Sequence, residues 1–265
     1  DKRKVLFGYT QEDIKTIILP MANLAKEPIG SMGSDTPLAL LSEKPQLIYN
    51  YFKQLFAQVT NRPVDPIREE IVMSLISYVG PKPNLLGVDY ETVFKRLELS
   101  QPVLNFEDYD SLVNISELSQ GAFDSEIIDI TFPVDEGPSG LERALSVIAK
   151  RAERAVLNGK TILILCDKGV DSARAAIPAL LATSSVHHHL VRNGLRTKTG
   201  LVVSTGSARE VHHFALLAGY GAEAVHPWLT METLAAVTSG SNQEIVMHQK
   251  NFIKAVIVMK LMLKV

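Results

Sequence analysis

Thr161-Ile-Leu-Ile-Leu165 decides the fold. This run is apolar without alternation and is bounded by Asn158-Gly159 before it and Asp167 after it. A short, wholly apolar run between turn signals reads as a strand buried on both faces. Upstream, IIDITFPV (127–134) reads as another strand. Between the two, Ser139-Gly-Leu-Glu142 has the spacing of a capping box, so a helix is expected from there to Asn158-Gly159. Downstream, helix and strand alternate. Pro178 to Asn193 reads as a helix closed by Gly194, LVVST (201–205) as a strand and Arg209 to Leu217 as a helix. Ala222 to Val225 then reads as a short strand, and Thr230 to Val237 as a final helix. Such alternation implies right-handed βαβ crossovers and a parallel sheet, either open or part of a barrel. Functional loops then belong at the carboxyl ends of the strands: Pro133–Ser139, Cys166–Ile177, Gly206–Arg209 and His226–Leu229.

The first 126 residues read differently. Thr10-Gln-Glu-Asp13 resembles a capping box, with Ile14, Ile17, Ile18 and Met21 following at helical spacing. EPIGSMGSDTPLALLS (27–42) is a loop shaped by Pro28, Gly30, Gly33 and Pro37. Leu47, Ile48, Tyr51, Phe52, Leu55, Phe56 and Val59 form a broad apolar stripe that predicts a second helix. Asp65-Pro66 predicts the cap and first residue of a third, with Ile71, Leu75 and Val79 inward. Gly80-Pro81-Lys82-Pro83 ends it, and residues 84 to 126 follow no single period.

The 265 residues are 46% hydrophobic and 21% charged, enough for a sizeable core, and the net charge of −2 has no basic block. No nucleic-acid surface is supported. Cys166 is the only cysteine, which fits a reducing compartment. The apolar run AVIVMKLMLKV is too short for a membrane span. The lack of an initiator methionine and the apolar C-terminal run suggest a piece of a longer polypeptide.

Several residues invite a chemical reading. His187, His188 and His189 are consecutive, so on a helix they point about 100° apart and cannot share one metal. His212-His213 has the same fault, and packing between helices is the preferred role for both groups. Cys166 reads as a buried structural thiol. Thr205-Gly206-Ser207 lies where a turn can bind phosphate, but it lacks a phosphate-binding glycine pattern, and Ser207 reads as a plain helix cap. Asp167, Lys168, Asp171 and Arg174 cluster at a strand end. They carry the alternative reading of a stand-alone α/β enzyme acting on a small anionic substrate. A third possibility is a subunit-contact module using Val256–Val265.

FGYTQEDI, EPIGSMGSDTPLALLS, YNYFKQLFAQVTNRPVDPIREE, PNLLG, IPALLATSSVHHHLVRNGLRT and SAREVHHFALLAGYGAEAVHPWL occur in this order between Leu6 and Leu234. Together they resemble the central domain of the glutamate synthase large subunit. Ala25, His226 and Trp228 depart from that family's pattern, where glycine, asparagine and tyrosine are common.

The resemblance implies an α/β fold: a helix- and loop-rich part (1–115), then βα repeats (127–237) with a parallel, degenerate (β/α) barrel-like sheet. The central domain would span 1–239, and residues 240–265 would form a truncated connection toward an FMN domain. It implies neighbours in the same polypeptide: an amidotransferase domain that frees ammonia from glutamine, and an FMN-binding domain. The whole enzyme would make two glutamates from glutamine and 2-oxoglutarate, with a small reductase subunit or ferredoxin supplying electrons in the bacterial cytoplasm. FMN and an iron–sulfur cluster belong to that full-length subunit; no cofactor, metal or catalytic residue is expected in this stretch, and neither a nucleic acid nor a membrane is an expected partner. What remains is a connecting role and a share in an ammonia tunnel. Such a passage must exclude water and carboxylates, so small, hydroxyl and thioether side chains suit it. Met32 and Thr60 are the expected wall residues, with Gly30, Ser31, Gly33 and Asn61 beside them.

Overall fold

The computed structural model describes residues 2–28, 41–52, 65–68, 74–82, 96–238 and 240–262, with side chains in the last segment described to residue 257. The chain opens with a short helix, α1 (Lys2–Leu6), and a turn α2 (Gln11–Asp13). The expected capping box is present: Thr10 Oγ1 accepts from the Asp13 N–H at 3.0 Å, and Asp13 Oδ2 accepts from the Thr10 N–H at 3.1 Å. A π-helical turn (Ile14–Ile18) leads into α3 (Leu19–Leu24). Pro20 has no N–H to give, and the turn ahead of it widens so that Leu19 N–H bonds to Ile14 O. Of the four residues at helical spacing along this segment, Ile14, Ile18 and Met21 are buried and Ile17 is partly buried. It ends at Ala25, which adopts φ +50°, ψ +34°. That left-handed conformation is free for glycine and strained for alanine.

Two expected helices are corrected in part. Ile48–Tyr51 is a single 3₁₀ turn that ends at an extended Phe52. His212 Nε2 lies 3.0 Å from the Phe52 carbonyl, which a helix would have used for its own ladder. The rest of that expected helix, residues 53–64, lies outside the described residues. The third helix does start as expected: Pro66–Arg68 is helical and Asp65 caps it, with Oδ1 accepting from the Ile67 and Arg68 N–H groups at 3.1 and 3.0 Å, while residues 69–73, Ile71 among them, lie outside the described residues. Val79, however, belongs to a strand, β1 (Ser77–Val79), which pairs antiparallel with β2 (Leu97–Leu99). The four-residue spacing of Leu75 and Val79 is coincidental, because burial here alternates with period two.

Within 84–126, α4 (Phe106–Val113) carries a capping box between Asn105 and Asp108, and α5 (Ile115–Leu118) follows. IIDITFPV is two strands. β3 (Ser125–Asp129) joins the main sheet, and β4 (Thr131–Pro133) pairs antiparallel with β6 (Arg174–Ala176). α6 (Gly137–Leu157) begins before the expected cap. Ser139 Oγ donates to Glu136 O at 3.2 Å, so it caps nothing. The helix stops where predicted, at Gly159 with φ +88°. β5 (Ile162–Cys166), α7 (Ala179–Arg192), β7 (Gly200–Ser204), α8 (Val211–Gly219), β8 (Ala224–His226) and α9 (Trp228–Val237) complete the expected alternation.

The main sheet is parallel, in the order β3-β5-β7-β8, and among the described residues it is an open arc. Val103 adds a parallel bridge to Val225 beyond β8. Successive residues of β5 serve two cores. Leu163 and Leu165 pack with α6–α9 and the N-terminal segment, while Ile162 and Ile164 pack with Val79, Leu104, Leu112, Ile115 and Phe123. Ile162–Leu165 are fully buried, so the strand is covered on both faces, as its continuous apolar run requires. Finally, α10 (Asn242–Met262) lies along α3: Asn251 Nδ2 donates to Ala22 O at 2.9 Å, and Phe252, Ile253, Ala255 and Val256 are buried. No helix among the described residues is long and apolar enough to cross a membrane.

Candidate functional site

The carboxyl end of the parallel sheet collects the chain's buried polar groups. Asp167 follows β5 and is 1% exposed. Its carboxylate accepts from the Thr205 hydroxyl (2.5 Å), the Gly206 N–H (2.9 and 3.2 Å) and Trp228 Nε1 (2.7 Å). Thr205 and Gly206 stand just past the end of β7, and Trp228 opens the helix that follows β8. Burial pushes the Asp167 carboxyl up to about 6, and these donors pull it back toward the ionised form they solvate.

A directed relay leads into this carboxylate. The Thr205 hydrogen is committed to Asp167, so Ser207 Oγ, 2.9 Å away, donates to Thr205. The Tyr49 hydroxyl, 3.0 Å from Ser207, therefore donates to Ser207. Tyr9 closes the other flank, donating to Gly206 O at 2.9 Å with its oxygen 2.7 Å from Thr230 Oγ1. Burial raises both phenols above their ordinary range, so they remain neutral donors. Arg209, 4% exposed, pins the N-terminal segment over the site. Its guanidinium donates to Phe7 O (3.1 Å) and Gly8 O (2.9 Å), pairs with Asp13 (3.1 Å) and lies over the Tyr9 ring at 4.5 Å.

This arrangement disposes of the phosphate reading by occupancy. The Gly206 N–H that would hold an anion already holds the Asp167 carboxylate. Ser207 is not a helix cap either, because α8 starts only at Val211 and the Ser207 hydroxyl belongs to the relay.

The cluster Asp167–Arg174 also disperses. Asp167 turns inward, while Lys168 pairs with Glu232 at 3.5 Å. Asp171 Oδ1 accepts from the backbone of Ala173 and Arg174, a local turn. The Arg174 guanidinium goes to Asp129 (3.2 Å) and Thr131 (2.7 and 2.8 Å). No common point is faced by all four, so an anionic substrate has no convergent site there.

One residue earlier on each strand, the opposite face carries Asp129, Cys166, Ser204 and His226 in register. Tyr109 stacks on His226 at 4.5 Å, Phe106 meets it edge-on at 5.0 Å, and the Tyr109 hydroxyl lies 3.9 Å from Cys166 Sγ. Cys166 is half-buried, less enclosed than expected. Burial lowers His226 to about 4, against the pull of its bond to Leu104 O at 3.0 Å. It is therefore a neutral packing group at neutral pH.

The other histidines also fan out. His187 accepts from Arg196 Nε at 3.1 Å, and His189 lies 2.6 Å from Glu153. His213 stacks on Tyr49 at 4.2 Å. Among the described residues no group of three histidine, cysteine or carboxylate side chains is placed to hold a metal ion. The expected tunnel-wall residues Gly30, Ser31, Met32, Gly33, Thr60 and Asn61 all lie outside the described residues.

The Asp167 network was missed because its members are far apart in sequence. One signal could have found it: Asp167, Thr205 and Trp228 each stand immediately or two residues past a strand's end, on one side of the sheet.

Comparison with known proteins agrees along the whole chain. The family described as "Glutamate synthase central domain" matches residues 2–265. Glutamate synthase [NADH] of Saccharomyces cerevisiae is 47% identical over 234 residues, covering 88% of this chain and 11% of that protein. Glutamate synthase [NADPH] large chain of Bacillus subtilis is 46% identical over 231 residues, covering 87% of this chain and 15% of that protein. The chloroplastic ferredoxin-dependent glutamate synthase of Oryza sativa subsp. japonica is 40% identical over 265 residues, covering 94% of this chain and 16% of that protein. The chain thus spans between 11% and 16% of the length of these relatives. It belongs to the glutamate synthase central domain family.

Proposed function

We propose that this chain is the connecting domain of a glutamate synthase, the enzyme that makes two glutamates from glutamine, 2-oxoglutarate and a reductant. It links a glutaminase domain to an FMN-binding synthase domain of the same polypeptide, helps enclose the ammonia passage between them, and does no chemistry itself. The observation that carries this reading is the occupied carboxyl end of the sheet. Where a βα enzyme leaves a crevice for its ligand, the Asp167 carboxylate fills the anion position and Tyr9, Tyr49 and Trp228 are buried around it. Electrons come to the full enzyme from a small reductase subunit or ferredoxin, and the single cysteine favours a reducing compartment such as the bacterial cytoplasm.

Within this proposal the domain itself spans residues 1–239, and 240–265 lead toward the FMN domain. Gly30, Ser31, Met32 and Gly33, with Thr60 and Asn61, form the wall of the passage. Their small, hydroxyl and thioether side chains hold no proton donor strong enough to trap ammonia as ammonium, and Met32 is the adaptable element.

Two experiments test the reading. Titration of the chain with FMN should give no saturable binding at micromolar concentration; tight, specific FMN binding would contradict a non-catalytic role. In the polypeptide that carries both flanking domains, Met32→Trp should let glutaminase outrun glutamate synthesis, with free ammonia accumulating. Unchanged one-to-one coupling would remove Met32 from the passage.

A further inference from the structure

The hydroxyl relay into Asp167 can run in either direction, and the charge on one carboxyl group decides which. Asp167 is 1% exposed, and among the described residues no cation pairs with it. Lys168, next in the chain, goes to Glu232, and Arg209 goes to Asp13 and to the carbonyls of Phe7 and Gly8. A buried carboxylate held only by neutral donors takes up a proton more readily than an ion-paired one. Asp167 does so at about pH 6.

The donors fix where that proton sits. Oδ1 faces the Gly206 N–H at 2.9 Å and Trp228 Nε1 at 2.7 Å, and neither group can accept a hydrogen bond. Oδ2 faces the Thr205 hydroxyl, which can. An Asp167 O–H on Oδ2 therefore donates to Thr205 Oγ1. That oxygen also accepts from the Ser207 N–H at 3.1 Å, so its two lone pairs are then filled. The Ser207 hydroxyl, 2.9 Å away, can no longer donate to Thr205 and accepts from it instead. Its own hydrogen turns to the Tyr49 oxygen, 3.0 Å away. Tyr49 is 1% exposed, and among the described residues Ser207 is the partner of its hydroxyl. The Tyr49 hydrogen is then left without that acceptor.

We propose that Asp167, Thr205, Ser207 and Tyr49 form a proton-operated switch, in which proton uptake at Asp167 Oδ2 reverses the three hydroxyls and is read at Tyr49, in the N-terminal half of the chain. No bond between heavy atoms changes. One proton arrives from solvent water, and each hydroxyl hydrogen rotates about its own C–O bond. The other titratable groups nearby stand outside the relay. His213 stacks on Tyr49 at 4.2 Å and is held well below its ordinary range by burial. Tyr9 donates to Gly206 O and stays neutral. Glu210, raised by burial, borders Arg209, Asp13 and His212. Arg3 and Lys168 lie over the Trp228 ring at 5.6 and 5.8 Å. The switch stands on this network and does not depend on the connecting role of the domain.

Two probes at the two ends of the relay test it. Trp228 is the chain's one tryptophan, so its emission reports Asp167. Tyrosine isotope-labelled at Cζ reports Tyr49 by NMR, with the resonance assigned from its loss in Tyr49→Phe. Both signals should move in one step with a shared midpoint at about pH 6 while far-UV circular dichroism stays constant. Asp167→Asn keeps a carbonyl toward Gly206 and Trp228 and turns an N–H donor toward Thr205, as the protonated acid does. Both signals should then rest at their low-pH values throughout. Ser207→Ala cuts the relay, so the emission should still titrate while the Tyr49 resonance loses most of its pH-dependent shift. A Tyr49 resonance that stays flat in the parent chain, or whose midpoint departs from that of Trp228 by more than about one pH unit, would overturn the proposal. So would a Tyr49 shift that persists in Asp167→Asn, as titration of His213 would produce, or in Ser207→Ala. The coincidence of midpoints is read in the parent chain, so it decides the matter even where a relay variant fails to fold.

Discussion

The two faces of the sheet at its carboxyl end differ although they share the same strands. Cys166 and Asp167 are neighbours in sequence, as are Ser204 and Thr205, yet each pair divides between opposite faces. The face toward α6–α9 holds a buried carboxylate with three donors and a relay of hydroxyls reaching Tyr49. The other face holds a half-buried thiol and a histidine stacked on Tyr109 and met edge-on by Phe106. One face is held by directional hydrogen bonds, the other mainly by ring packing. The first is intolerant of losing one member, because every remaining donor is then stranded away from water. The second should tolerate an apolar replacement of similar shape.

The largest expected effect is at Asp167. Asp167→Ala strands the Trp228 and Gly206 N–H groups and the Thr205 hydroxyl, and should cost about 3 kcal/mol or more of unfolding free energy, read by chemical denaturation. A loss under 1 kcal/mol, on the order of an ordinary surface change, would mean that water reaches these donors and that the contrast between faces is wrong.

Next is the pH response of the ring-packed face. His226 titrates at about 4 in the fold against 6.5 for the free side chain, so the unfolded chain binds the extra proton between these values. Its contribution is present above pH 6.5 and is lost as pH falls toward 4. Asp167 works in the opposite sense: raised from 3.8 to about 6, it binds its proton first in the fold and offsets part of the loss in the same window. Comparing His226→Phe with the parent isolates the histidine. The parent should lose about 2 kcal/mol more than the variant between pH 7 and pH 5. Equal losses would show that His226 is solvated in the fold.

The smallest effect is at the far end of the relay. Tyr49→Phe removes one donor but leaves Ser207 able to donate onward to Thr205, so a loss of about 1 kcal/mol is expected in the same denaturation measurement. A loss as large as that of Asp167→Ala would mean that the relay fails as a unit.

The parallel core strands of the βα half were legible because continuous apolar runs and glycine stops are local signals; Ile162–Leu165 and the turns at Gly159 and Gly194 lie where these signals put them, whereas the split of IIDITFPV into β3 and β4 and the β4–β6 pair were not read. The N-terminal half was less legible. Val79 fits a helical spacing by coincidence, and the turn Ile48–Tyr51 ends at Phe52, whose carbonyl meets His212, 160 positions away. The buried network was hidden for the same reason, since Asp167 lies next to Lys168 in the chain but next to Thr205 and Trp228 in space.

Sequence alone determined the alternation of strands and helices, the turns that punctuate it and the family to which the chain belongs, because periodicity, capping and ordered motif blocks are written along the chain. Only the tertiary structure decided which face each strand-end residue takes, that Asp167 occupies the anion position of its own fold, and that the hydroxyls of Thr205, Ser207 and Tyr49 line up into one relay. Those outcomes depend on which side chains arrive from distant segments to satisfy or strand a buried polar group.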